Sequence, residues 1–263
     1  MGFFIDIMRL KKNLFNLIFV FTSLLLHGQN NTSEPQLPFS NGEVLNFDIQ
    51  YNFGSMWLNV GTLQLLTDTI INNGLKYYNF RSESKTIESW KWLYEVSSSY
   101  DVVSSQTTLK PLKYSQSTKY GNHLCNYSYF FDDDSIHLSI IRDKEFIEKS
   151  IKNDSLIFDG LSAIYYARTI DFCQLSKGDT IELDILHDDK LLKQKIIFEG
   201  IVDLNIKKNE ISECFKFSSI IENNSIISNK VPAQVWVTTD CKRLPLRINV
   251  EIIVGSVNIY LSN

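Results

Sequence analysis

The four histidines are the first candidates for proton transfer or metal binding, and their placement argues against both roles. His27 falls in an apolar N-terminal stretch, His123 and His187 in turn-like segments and His137 in a strand-like one, with no pair at helical His-x-x-x-His spacing. Isolated imidazoles of this kind are ordinarily solvated or packed. No Gly-x-Ser-x-Gly elbow, phosphate-cradling glycine loop or dinucleotide fingerprint occurs, so hydrolase, kinase and dehydrogenase chemistry lose their usual warrants. Asp132, Asp133 and Asp134 offer carboxylates to a hard cation but lack the spaced ligands and distal Glu of a calcium loop, and read as a solvated turn. Asp159 with Arg168, and Asp240 with Arg243, could act as acids and anion clamps. Asp159 is better placed as a helix cap and Asp240 as a turn residue, which makes these four, with Gly255, structural positions. No catalytic residue, metal ligand or cofactor is expected. The remaining candidates are Trp57, Trp90, Trp92 and Tyr94, which either line the mouth of a β cavity as ligand contacts or close the core.

The elements that must position these residues are mostly strands. Leu45, Phe47, Ile49, Tyr51 and Phe53 alternate with Asn46, Asp48, Gln50 and Asn52, the pattern of a half-buried strand. A second strand follows over Trp57 to Leu66, and Asn72-Asn73-Gly74 turns the chain back into Leu75 to Arg81. The stretch Ile87 to Tyr94 breaks the alternation and is either a short helix or a loop over the sheet. Further hairpins are expected between Tyr114–Lys119 and Leu124–Phe131, and through Asp132–Asp134 into Ile136–Arg142. One helix starts at Asp159 and runs to Arg168, with Leu161, Ile164, Tyr165 and Arg168 on one face, so one charge there must find a partner or reach water. Strands then return at Ile181–Leu186, Leu191–Phe198, Cys214–Ile221, Ala233–Thr238 and from Leu244 onward. In that last stretch Leu244, Leu246, Ile248, Val250, Ile252 and Val254 share one parity and Val257, Ile259 and Leu261 the other, which reads as a long strand bulged or bent at Gly255-Ser256.

At 263 residues and 44% hydrophobic, the chain can bury one sizeable core. Its net charge of -4 lacks the Lys/Arg concentration that nucleic acid requires, and 13% aromatic residues suit a many-stranded sheet. Arg9, Lys11 and Lys12 followed by the apolar run Leu14 to Leu26 read as a signal peptide cut near Gly28 or Gln29, or else as an uncleaved N-terminal anchor. No Cys follows closely, which disfavours lipidation. The expected organisation is a signal peptide over 1–28, a flexible leader over 29–40 and a single β-rich domain over 41–263. Cys125, Cys173, Cys214 and Cys241 are too widely spaced for a zinc site, and are either paired in an oxidising compartment or free on strands.

Several segments together resemble a known family. They are Asn41 to Tyr51, the helix Asp159 to Arg168, the turn and strand Asp240 to Ile248, and the ending Val254 to Val257. In this order, across roughly Gly42 to Leu261, they resemble domain-of-unknown-function family 3108, exported proteins of Gram-negative bacteria. The resemblance implies no catalytic residues. It implies a mainly β fold, a large curved antiparallel sheet forming a half-barrel or open barrel with one short helix packed on it, akin to the half-barrel lipoprotein carriers of the periplasm. The functional expectation is a non-enzymatic periplasmic or envelope protein, peripheral to the membrane at most, that binds a lipid or lipoprotein acyl chain in the curve of the sheet. The alternatives are an assembly module docking another envelope protein, and an enzyme acting on cell-wall glycans.

Overall fold

The computed structural model describes residues 37–93, 95–207, 210–221, 231–252 and 254–262, so the segment expected to be a signal peptide and Tyr94 lie outside the described residues. The strands are β1 (Glu43–Phe53), β2 (Met56–Asn72), β3 (Leu75–Thr86), β4 (Val96–Ser105), β5 (Pro111–Tyr120), β6 (His123–Phe131), β7 (Ser135–Arg142) and β8 (Glu145–Lys152). They continue as β9 (Ile157–Asp159), β10 (Thr180–His187), β11 (Lys190–Lys207), β12 (Glu210–Ile221), β13 (Ala233–Thr238), β14 (Pro245–Glu251) and β15 (Ser256–Ser262). Two helices interrupt them, α1 (Glu88–Lys91) and α2 (Gly160–Arg168).

All 15 strands belong to one sheet, in the order β8-β7-β6-β5-β4-β3-β2-β1-β15-β14-β13-β12-β11-β10-β9. Every pairing is antiparallel except that of β9 with β10. From β1 to β8 and from β10 to β15 consecutive strands pair by local hairpins, β9 joins β10 through the α2 crossover, and the pairing of β1 with β15 joins the two halves of the sheet. The sheet is mainly β and curved, as the alternation predicts, and it is not closed by a ladder, since β8 and β9 are both free edges. Instead the β9–β11 end tucks against the inner face of β6–β8. Tyr129 donates its hydroxyl to the Asp188 carbonyl. Arg142 Nη2 reaches Asp189 Oδ1 at 3.2 Å and Lys149 Nζ the Asp189 carbonyl at 2.7 Å.

The parity change near the C-terminus has a different cause from the expected bulge. β14 and β15 are separate strands of a tight hairpin, with Val250 opposite Val257 and Ile248 opposite Ile259. Opposed residues of an antiparallel pair share a face, so reversing the chain between 251 and 256 switches the parity that faces the core. Register shifts of the kind that bend strands occur elsewhere, at Ile49/Gln50 in β1, Phe198/Gly200 in β11 and Trp236/Val237 in β13.

What the sheet curls around is its own interior. Helix α2 lies in the concave face, and Tyr165, fully buried, stacks on Phe80 with ring centroids 3.8 Å apart. Phe39 meets Tyr78, Phe80 and Tyr165 edge-on at 5.2–5.6 Å. The described part of the leader thus contributes a core side chain, and the folded unit begins ahead of Gly42. Each aromatic buried this way contributes about 1.5–3 kcal/mol.

Candidate functional site

Three places in this fold collect side chains able to act on something else: the end of the sheet that carries α1, the interior beside α2, and the outer face of β3–β7.

The tryptophans belong to the first. β1 and β3 both run toward this end, where the Val60 carbonyl accepts from Ile87 N at 3.1 Å and so holds α1 beside the start of β2. Trp57 is 54% exposed near the β1–β2 turn and Trp92 is 78% exposed after α1, while Trp90 is half-buried. Phe53, Met56 and Leu93 are exposed at the same end. These exposed side chains, with half-buried Trp90, make an apolar rim at this end. The sequence marked the tryptophans but not Phe53, Met56 or Leu93, whose neighbourhood depends on the pairing of Phe53 with Met56 across the turn. Carboxylates at this end of the sheet stand beside basic side chains: Glu88 contacts Lys91, Asp143 contacts His123, and Asp189 contacts Arg142 and Lys149.

Of the structural candidates, Asp159 lies inside, Arg168, Asp240 and Arg243 gather at the opposite end, and Gly255 lies at the rim end beside Asn52. Asp159 Oδ1 accepts from the amides of Leu161 and Ser162 at 2.8 and 3.1 Å, and its Oδ2 from the Ser162 hydroxyl at 2.5 Å, the expected cap. Burial raises its carboxyl above the ordinary Asp value, and these hydrogen bonds oppose the rise. Arg168, the charge left on the buried face of α2, finds Glu43: its Nη1 and Nη2 contact the two carboxylate oxygens at 2.5 and 2.9 Å. It also donates to the Pro38 and Lys242 carbonyls at 2.9 and 3.1 Å. Asp240 Oδ1 receives the Thr238 hydroxyl at 2.5 Å and the amides of Lys242 and Arg243, each at 3.2 Å, closing the turn before β14. Arg243 then donates to the Arg168 carbonyl at 3.0 Å, a cation at the C-terminus of α2. Gly255 sits at φ +81 in the β14–β15 turn.

The interior offers little room. Between α2 and β11–β13 a crevice lined by Ile164, Ala167, Phe172, Ile196, Phe217 and Val235 holds about 30 Å³. That is water-sized, against the roughly 300–1,000 Å³ of pockets that enclose organic ligands. Helix α2 and the aromatic side chains around Tyr165 pack the concave face beside this crevice.

The outer face of β3–β7 carries an open groove of about 510 Å³. The strand register sets its lining in two rows that run across the strands. One row is Arg81, Asp101, Ser115, Ser128 and Ser139, and the other is Glu83, Ser99, Ser117, Asn126 and Ile141. Nothing in the sequence brings these residues together, because each serine lies on a different strand or two positions along it.

Among the described residues, no group of three or more His, Cys, Asp or Glu side chains is placed to hold a metal ion. All four cysteines are free, Cys125 and Cys214 buried, Cys173 and Cys241 exposed. Burial pushes the Cys214 thiol up to about 11. No helix among the described residues is long and apolar enough to cross a membrane.

Comparison with curated proteins gives no match. Among solved structures the chain is similar to one described as a beta-barrel-like protein of domain of unknown function DUF1849 from Brucella abortus, with a TM-score of 0.52 and 7% identity, covering 84% of this chain and 95% of that one. At that identity the likeness concerns the fold alone. The model of the protein family of unknown function DUF3108 matches residues 46–262, in agreement with the four sequence segments and the curved sheet they form, and the chain belongs to this family.

Proposed function

We propose that this protein is an exported, non-enzymatic envelope component that works as a docking module, engaging another envelope protein through its aromatic rim. The observation that carries this reading is the exposure of Phe53, Met56, Trp57, Trp92 and Leu93 at one end of a sheet whose interior is filled. Large aromatic side chains left in water at one place are the residues that dominate protein interfaces. A carrier that encloses an acyl chain would need α2 to leave the concave face, with loss of the Tyr165–Phe80 stack and the Arg168–Glu43 pair.

The test is photocrosslinking in cells with a benzophenone amino acid at position 92. A discrete adduct with one envelope protein, lost when Phe53 and Trp57 are changed to Ser, is the expected result. Sedimentation of the purified protein with zwitterionic vesicles, or an acyl chain recovered by organic extraction and mass spectrometry, would replace this reading with a lipid one.

A further inference from the structure

The outer groove has a chemistry of its own, distinct from the rim. Among the described residues its serines, Ser99, Ser115, Ser117, Ser128 and Ser139, make no side-chain hydrogen bond, and neither do Asn126, Glu83 or Asp101. Two carboxylates, one amide and a field of hydroxyls therefore face solvent in a single concavity. Glu83 and Asp101 lie on adjacent strands, diagonal to one another through the pairs Glu83↔Ser99 and Arg81↔Asp101. Arg81 is already held by Asp68, so the groove offers no uncommitted cation along its two rows.

This inventory selects among ligands. A phosphate-bearing chain meets two carboxylates along the rows themselves, the nearest exposed lysines, Lys85, Lys113 and Lys119, standing one position beyond them on the same face. A lipid chain would lie across two rows of hydroxyls, carboxylates and an amide that it cannot satisfy. An extended peptide would pair with a free strand edge, whereas this groove crosses strands that are already paired on both sides. A chain rich in hydroxyls matches: vicinal hydroxyls donate to carboxylates, and serine hydroxyls and the Asn126 amide both donate and accept. At the β7 end the floor changes character, because Ile141 is exposed and pairs with Phe146 on β8, also exposed, giving an apolar surface for the C–H face of a sugar ring. From β3 to β7 the groove spans four inter-strand gaps, about 19 Å, a length suited to an oligosaccharide rather than a single sugar.

We propose that the groove across β3–β7 binds a neutral glycan chain, without cleaving it. The site is independent of the rim, so either can fail without the other.

The test uses the purified full-length chain with chitohexaose and a dextran oligomer as neutral probes and an alginate oligomer as the anionic control. Titration of a ¹⁵N-labelled sample is expected to move amide signals of β3–β7 with a neutral probe and not with alginate. Asp101→Ala should weaken binding by about ten-fold, the scale of one lost hydrogen bond to a charged group. Ser117→Trp and Ser128→Trp, both on exposed positions of the outer face, should abolish binding by filling the groove while leaving the melting temperature unchanged. No signal change with either neutral probe, changes that map away from β3–β7, or binding that survives both tryptophan variants would overturn the proposal. Release of shorter sugars from the probes would overturn its non-cleaving part.

Discussion

At the scale of single residues the fold rests on a few committed polar groups, and these give the sharpest predictions. Arg168 and Glu43 are side chains exposed by only 4% and 14%, and they join α2 to the first strand. Arg168→Met leaves Glu43 a nearly buried carboxylate with its partner gone, and should cost about 3–5 kcal/mol, read as a fall in the urea midpoint. Adding Glu43→Leu should recover part of that loss; a double variant no better than the single would point to the carbonyl contacts of Arg168 instead. Asp159 gives a pH prediction. Its folded-state carboxyl is raised by burial, so between the ordinary Asp value and the raised one the native state holds a proton that the unfolded state has lost. Stability contributed through this group therefore falls as pH rises through that window. Asp159→Asn cannot titrate, so the stability of the natural protein relative to this variant should increase as pH is lowered toward 4, and a pH-independent difference would refute the assignment. Of these two residues the sequence exposes one fully. The cap of Asp159 is local, needing only the next three positions, whereas the partner of Arg168 lies 125 residues away and no pattern along the chain points to it.

Among the elements, hairpins were readable where the turn has its own chemistry and unreadable where it does not. Asn73 and Gly74 take positive φ between β2 and β3, and Gly121 does so between β5 and β6, each flanked by clear alternation. β4 was not visible because its inward positions include Ser98 and Ser104, so the contrast between its faces vanishes. The β14–β15 reversal was hidden by the apolar residues around it, and only Gly255 betrays the turn. A Cβ there would stand 2.1 Å from the Asn52 carbonyl oxygen, which brings β1 hard against the turn. Gly255→Ala should therefore cost more than about 3 kcal/mol, combining left-handed backbone strain with displacement of a neighbouring strand. Gly74→Ala is the control. It has a similar φ of +77 and open space around the added carbon, so it should show only the backbone part, about 1–2 kcal/mol. Equal losses of melting temperature in the two variants would mean that the contact with Asn52 carries no weight.

For the whole molecule, the sheet order implies an uneven distribution of stability. β1, β2 and β15 lie mid-sheet with ladders on both sides, whereas β8 has one partner and is exposed along most of its length. Its charges at Glu145, Glu148, Lys149 and Lys152 discourage another chain from adding to that edge. The roll is held shut at this seam by side chains alone, through Tyr129, Arg142 and Lys149 reaching the β10–β11 turn. If the seam opens independently of the core, amides of β8 and of the β10–β11 tip should exchange with solvent well before those of β1 and β15. Changing Arg142 and Lys149 together to Ala should then speed exchange at the β10–β11 tip while leaving β1 and β15 protected, because the partly exposed contacts removed are each worth no more than about 1 kcal/mol. Loss of protection across the entire sheet in that double variant would show that the roll unfolds as one unit and that the seam belongs to the core. The same experiment bears on the filled interior. An opening of this kind would admit an acyl chain toward α2, whereas a seam that opens only with global unfolding favours the outer surface, the rim and the groove, as the place where a partner is met.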